Sequence, residues 1–399
     1  MTRAPCRLAA LGQVSALGRS NAQVRERLAA GDGSRLTLSE RFVPERSLWL
    51  GEVHDSLPAI PAALERFACR NNQLALAALE AIAGPVQEAL ARFGAQRVGV
   101  VVGTSTSGVG DAEAAIAHRE RTGVLAHEFH YDQLEFGGLA RFVAEVTGAR
   151  GPAYTLSTAC SSGARALASA RSLLALGLCD AVISGAADSL CGLTTNGFAA
   201  LGAISANVTN PFSRNRDGLT LGEASALFLV TREPGGIQLL GVGDSSEAHH
   251  MSAPDPEGRG AETAMRGALA DARLEPGEIA YLNLHGTGTP QNDAMESAAV
   301  MRVFGGELSS SSTKPLVGHT LGAAGAIEAA FCWLVLDATG PELALPPHVW
   351  DGARDPELAP IRLTGKGERA AASSSARVMT NSFGFGGNNC TLILGRSDS

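Results

Sequence analysis

Tyr154-Thr-Leu-Ser-Thr-Ala-Cys160-Ser-Ser-Gly163 leads into an Ala-rich stretch, Ser161 to Leu176, and then into the apolar run Asp180-Ala-Val-Ile-Ser-Gly. That order reads as a strand, a tight turn, a helix and a second buried strand. It recurs later in the chain. Pro315-Leu-Val-Gly-His319-Thr enters a turn, a Gly/Ala-rich helix follows from Leu321 to Leu336, and a buried strand is expected near Thr391 to Leu394. Helices with so little polar face must be covered on all sides, which puts them between sheets. A chemically reactive residue opens each of them. The pattern predicts a layered α/β protein made of two pseudo-repeated halves.

Working outward, Arg7-Leu-Ala-Ala-Leu-Gly reads as a buried strand and Asn21 to Ala30 as a helix. Helical spacing of Ala, Leu and Ile predicts one long helix from Leu74 to Phe93. Arg97-Val-Gly-Val-Val-Val reads as a further buried strand, ending in the Gly/Ser/Thr loop Gly103 to Gly110. Glu233-Pro-Gly-Gly236 separates two strand-like runs and marks the expected boundary between an N-terminal half, 1–235, and a C-terminal half, 236–399. The serine tracts 309–312 and 373–375 are short enough to be ordinary loops.

Composition narrows the function. With 399 residues the chain can bury a large core, and its net charge of -8 argues against binding nucleic acid, which needs clustered Lys and Arg. The seven cysteines are scattered without ligand spacing, so a reducing cytoplasm and no metal are expected. The N-terminal residues lack the apolar core of a signal peptide, and no apolar run reaches the ~18 residues that span a bilayer.

Four constellations can carry chemistry. Cys160 opens a helix, where the dipole and unpaired N–H groups favour a thiolate and can hold an oxyanion. A buried inert thiol is the ordinary alternative, and it is the expectation for the other six. His285, in Leu284-His-Gly-Thr-Gly-Thr-Pro290, stands at the end of an apolar run, and Thr287 and Thr289 supply hydroxyls for a polar ligand arm. The loop has neither a Walker A lysine nor dinucleotide-binding spacing. His319 precedes the second buried helix. Glu328 lies inside that helix and needs a partner, for which Lys314 is the nearest candidate. Asn381-Ser-Phe-Gly-Phe-Gly-Gly-Asn-Asn389 alternates Gly and Phe, which lets backbone approach a ligand while aromatic faces wall a channel.

These residues resemble those of the β-ketoacyl-acyl-carrier-protein synthases, elongating condensing enzymes of the type I/II kind with a thiolase-like αβαβα fold. The resemblance runs from Leu11-Gly-Gln-Val-Ser-Ala-Leu-Gly18 to the Asn-Ser-Phe-Gly-Phe-Gly-Gly stretch. It implies that Cys160 is the nucleophile, His285 and His319 the catalytic histidines, and Lys314 and Glu328 the groups that orient His319. It further implies that Phe385 gates the acyl channel, that the N–H groups of Cys160 and Phe385 form the oxyanion hole, and that Thr287 and Thr289 bind pantetheine. The implied reaction is decarboxylating condensation of malonyl carrier with an acyl group on Cys160. No cofactor of its own is implied; substrates ride on the phosphopantetheine of acyl carrier protein. A homodimer, or a heterodimer with a related subunit, is also implied. Arg66 and Arg70 fall where relatives carry basic carrier-docking residues.

Departures from the housekeeping pattern occur at Asn388, where Thr is usual, and in Thr194-Thr-Asn-Gly-Phe198 and Asn210-Pro-Phe-Ser-Arg-Asn-Arg-Asp217. They look more like synthases of aryl-polyene-type pathways than primary fatty-acid enzymes. Four competing readings remain, one of them a starter-type synthase with a Cys-His-Asn set, which His319 disfavours. A thiolase would carry a second cysteine as base, where this chain has His319. A papain-like peptidase pairs Cys with His but does not explain the buried Ala/Gly helices. A non-catalytic chain-length-factor-like subunit would lack the nucleophile.

Overall fold

The computed structural model describes residues 6–43, 46–338, 340–371 and 376–397, so the serine tract 373–375 lies outside the described residues. Ten strands carry the architecture: β1 (Arg7–Val14), β2 (Val98–Gly103), β3 (Ala153–Leu156), β4 (Ala181–Asp188), β5 (Ala224–Thr231), β6 (Gly236–Ser246), β7 (Tyr281–Asn283), β8 (Ser310–Ser311), β9 (Arg377–Gly384) and β10 (Asn388–Ser397). Their spatial order is β8-β7-β9-β10-β6-β1-β5-β4-β2-β3. Divided between β1 and β6, that order is two five-stranded units of the same topology. In each, the first strand pairs antiparallel with the fifth, the fifth antiparallel with the fourth, and the fourth and third parallel with the second. The units join through one register pair, Arg7 opposite Gln238.

Seven helices cover these strands: α1 (Arg70–Ala81), α2 (Ala83–Phe93), α3 (Phe136–Thr147), α4 (Ser162–Ala175), α5 (Arg259–Ala272), α6 (Pro290–Phe304) and α7 (Ala324–Leu336). The two Ala/Gly-rich helices, α4 and α7, form the middle layer, packing on each other and on strands of both units. Their contact explains the small residues. A Cβ on Gly163 would stand 2.6 Å from Ala326 N, and one on Gly325 would stand 2.7 Å from Ala164 N, so each helix needs a glycine where the other's backbone passes. On the outside, α1 covers β1, β4 and β5, α3 covers β2 and β3, and α5 covers β6 and β10 with α6 packed against it. The result is the layered αβαβα arrangement expected of a thiolase-like fold.

Two expectations change. The long helix from Leu74 to Phe93 is two helices, α1 and α2, whose axes differ by 74°. The break falls at Ile82, with φ -115° and ψ 12°, because Pro85 has no N–H to give the carbonyl four residues earlier. The Asn381-to-Asn389 loop is mostly extended: β9 and β10 form a hairpin, and only Phe385–Gly387 turn between them. Gly386 and Gly387 there have φ of 79° and 75°, which a side chain would strain. Among the described residues, no single helix is long and apolar enough to cross a membrane.

Candidate active site

The reactive residues sit on strand ends and helix starts that converge on the contact of α4 and α7. Cys160 follows Ala159, a non-glycine residue at φ 51°, so the chain turns sharply out of β3 and presents the thiol just before α4. Its Sγ lies 3.1 Å from His319 Nε2. The His285 ring meets that of His319 edge-on, with centroids 5.2 Å apart, and Phe383 walls its other side. Sγ and a nitrogen of each ring lie within 4.8 Å of one another. These three residues, with Thr287, Thr289, Phe198, Leu201 and Phe385, line a cavity of about 190 Å³.

Burial governs the electrostatics. Desolvation pushes the Cys160 thiol up to about 11, and Lys314 together with the Phe385 and Cys160 N–H groups pulls back only part of that. The helix-start argument for a resting thiolate is therefore corrected: the N–H groups are in place, but the low-dielectric surroundings cost the anion more. Both histidines are held well below the usual range, first by burial and then by Lys314. They are neutral at pH 7. Lys314 Nζ lies 3.5 Å from His285 Nδ1 and donates to the His285 carbonyl. An ammonium has only protons to offer, so Nδ1 is the acceptor and the His285 proton resides on Nε2, facing the cavity.

The site residues fall in two groups. Lys314 and Glu328 form a buried pair, but their hydrogen bonds lead to His285, so the implied orientation of His319 by this pair is not what the contacts show. His319 Nδ1 has no partner among the described residues. The Thr287 and Thr289 hydroxyls are bonded to each other at 2.8 Å at the cavity wall. Phe385 is partly exposed, and its ring tilts against Phe198 at 5.4 Å. Arg70 Nε donates to the buried Glu223 at 2.8 Å, so its charge is paired within the fold. Arg66 is taken up by Glu145 and Asp132 and lies over the Phe67 ring. Neither offers an unpaired positive charge to a carrier.

Sequence reasoning missed the carboxylates behind the histidine loop. Glu296, on α6, accepts the N–H of His285 at 2.8 Å and of Gly286 at 2.7 Å, with Asn381 Nδ2 adding a third bond. Asp293 accepts the N–H of Gly288 and of Phe212. Burial pushes Glu296 up to about 7 and Asp293 to about 6. The available signal was two acids on the face of α6 that also carries Met295, Ala299 and Val300, positions that tolerate charge only when it is bonded.

Residues 61–234 match the family described as "Beta-ketoacyl synthase, N-terminal domain", and residues 238–343 match "Beta-ketoacyl synthase, C-terminal domain". The 3-oxoacyl-[acyl-carrier-protein] synthase 2 of Staphylococcus aureus is 32% identical over 321 residues, 75% of this chain and 77% of that one. That of Coxiella burnetii is 35% identical over 266 residues, 62% of each chain. The structure of the ketosynthase ApeO in complex with its chain length factor ApeC from Xenorhabdus doucetiae matches with a TM-score of 0.91, 44% identity and 98% of both chains covered. The ishigamide ketosynthase/chain length factor matches with a TM-score of 0.86 and 27% identity over 99% of this chain and all of that one. The chain belongs to the β-ketoacyl synthase family.

Proposed function

We propose that this chain catalyses decarboxylating condensation, joining malonyl carrier to an acyl group held on Cys160. The observation that carries the reading is the 3.1 Å approach of His319 Nε2 to Cys160 Sγ, with the His285 ring in the same small cavity. In the first stage Sγ attacks the carbonyl carbon of an acyl thioester on the carrier's pantetheine. The Sγ–C bond forms, the pantetheine S–C bond breaks, and the thiol proton passes through His319 Nε2 to the departing sulfur. The N–H groups of Cys160 and Phe385 hold the oxyanion. A neutral acceptor at 3.1 Å is what a thiol raised to about 11 requires.

In the second stage Thr287 and Thr289 receive the pantetheine arm of malonyl carrier. The bond to the malonyl carboxylate breaks, CO2 leaves, and the electron pair stays as an enolate whose oxygen accepts from His285 Nε2–H. No protein group fixes the His319 proton among the described residues, so the ring can accept in the first stage and donate in the second. The enolate carbon attacks acyl-Cys160, the new C–C bond forms, and the Sγ–C bond breaks. The released Cys160 thiolate takes up one proton from solvent, the proton consumed overall by the decarboxylation, and 3-oxoacyl carrier departs.

We place the reaction in specialised, polyene-type elongation, on the segments around Thr194, Asn210 and Asn388 and on the likeness to ApeO. The partner subunit is a second chain of this fold, docked along the exposed edge of β3; relatives solved with a chain length factor favour a related chain over an identical one. The two halves divide at 235/236, where β6 begins. The cysteines are buried and unpaired, in keeping with the cytoplasm.

Incubation with acyl carrier and malonyl carrier, read by mass spectrometry, should show acyl-Cys160 and the elongated product. Full turnover by Cys160→Ala would overturn the nucleophile, and absence of CO2 release would favour a non-catalytic partner subunit. Native mass spectrometry with and without a candidate partner separates homodimer from heterodimer.

A further inference from the structure

The duplication places a second turn opposite the catalytic one. Ala159 at φ 51° precedes Cys160 and the glycine-marked start of α4; Leu321 at φ 52° precedes Gly322 and the glycine-marked start of α7. Gly322 is thus the counterpart of Cys160. In the catalytic copy, the end of β9 delivers Gly384 and Phe385 to Cys160: a Cβ on Gly384 would stand 3.2 Å from Cys160 N. In the other copy, the equivalent strand end, that of β4, delivers Asp188. Its carboxylate accepts the Gly322 N–H at 2.5 Å, the N–H groups of Ser105 and Thr106 at 2.8 and 2.9 Å, and the hydroxyls of Thr104, Ser105 and Thr106. Asp188 is fully buried. Of the two N–H groups that correspond to those of Cys160 and Phe385, Asp188 takes that of Gly322, while Thr106 Oγ1 takes that of Ser189 at 3.3 Å.

We infer that Asp188 is a positioning residue, which sets His319 against Cys160 by anchoring the turn at Gly322. His319 is held on its other side by β-type contacts, its N–H donating to Thr220 O at 2.6 Å and its carbonyl accepting from Gly222 N at 3.0 Å. With no Nδ1 partner among the described residues, the ring depends on the backbone at both ends of the His319-to-Gly322 turn for its aim. Ser105 Oγ strengthens the anchor because it both donates to Asp188 and accepts from Gly322 N at 3.0 Å. Thr106 also donates to Asp188 with its N–H and hydroxyl, but its Oγ1 accepts from Ser189 N at 3.3 Å rather than from Gly322.

The inference rests on the synthase reading, so its test has one arm that needs no carrier. In condensation assays Asp188→Asn, which sets an amide against N–H donors, should lower kcat about tenfold or more, with KM for malonyl carrier within about twofold. A folded Asp188→Asn with unchanged kcat, or with KM rising as kcat falls, would overturn it. Should Asp188→Asn fail to fold, Ser105→Ala should lower kcat more than Thr106→Val; equal or absent effects would overturn it. In the carrier-free arm, iodoacetamide labelling of Cys160 should change rate in Ser105→Ala while Cys332 and Cys390 stay unlabelled. An unchanged Cys160 rate there counts against Asp188 even if no condensation is seen in the parent protein, an outcome that would separately sink the synthase reading.

Discussion

Lys314 Nζ lies 2.5 Å from Glu328 Oε1, and neither side chain is more than 2% exposed. A pair so buried is costly to break and cheap to replace. Lys314→Met alone strands a carboxylate and should destabilise the fold by roughly 3–5 kcal/mol. The double variant Lys314→Met/Glu328→Leu should regain most of that in urea unfolding yet remain inactive, because the ammonium that sets the His285 proton is gone. Recovery of activity in the double variant would refute this role.

Cys160 should be a slow nucleophile toward small alkylating agents near neutrality. With its thiol raised to about 11, the rate with iodoacetamide should climb about tenfold per pH unit from 7 to 9, without levelling near 8.5 as an ordinary thiol does. A plateau below pH 8 would show a thiolate at rest.

Gly163→Ala and Gly325→Ala should each cost about 1–3 kcal/mol, since the added carbon meets the backbone of the opposite helix rather than a movable side chain. Thermal melts would register this, and Gly84→Ala, where a Cβ meets nothing within 4 Å, is the control.

His348 ties the site to the region around Phe212. Its Nδ1 accepts from Ser312 N and its Nε2 donates to Pro211 O, which suits only the neutral ring, and burial lowers it from 6.5 to about 4. The unfolded chain therefore binds the extra proton first, so this contribution is complete above pH 6.5 and is lost as pH falls toward 4. The gap corresponds to roughly 3 kcal/mol. Urea midpoints measured from pH 7.5 to 4.5 should fall, and fall less steeply in His348→Gln.

Glu296→Gln should keep the shape of the histidine loop but weaken its hold on the His285 and Gly286 N–H groups. A fall in kcat of about tenfold is expected, with a loss of about 1–3 kcal/mol in stability. Wild-type kcat would show that the loop is set elsewhere.

Much of this protein was legible before any fold was drawn. Cys160, His285 and His319 stand in short glycine-framed motifs whose chemistry is local, and the repeated order of strand, turn and apolar helix follows from hydrophobic pattern alone. The pairing of Lys314 with Glu328 was legible too, because a charge inside an apolar helix demands an opposite charge nearby. What the pattern could not supply was anything set by distance across the fold. The commitment of Arg70 to Glu223 and the roles of Glu296 and Asp188 depend on which groups arrive beside them from far along the chain, whereas the break at Ile82 was local, set by Pro85. The state of Cys160 is the clearest case: the helix start argues for a thiolate, and only the burial of the thiol in the packed site reverses that preference, because desolvation of a charge depends on every atom around it rather than on its neighbours in sequence.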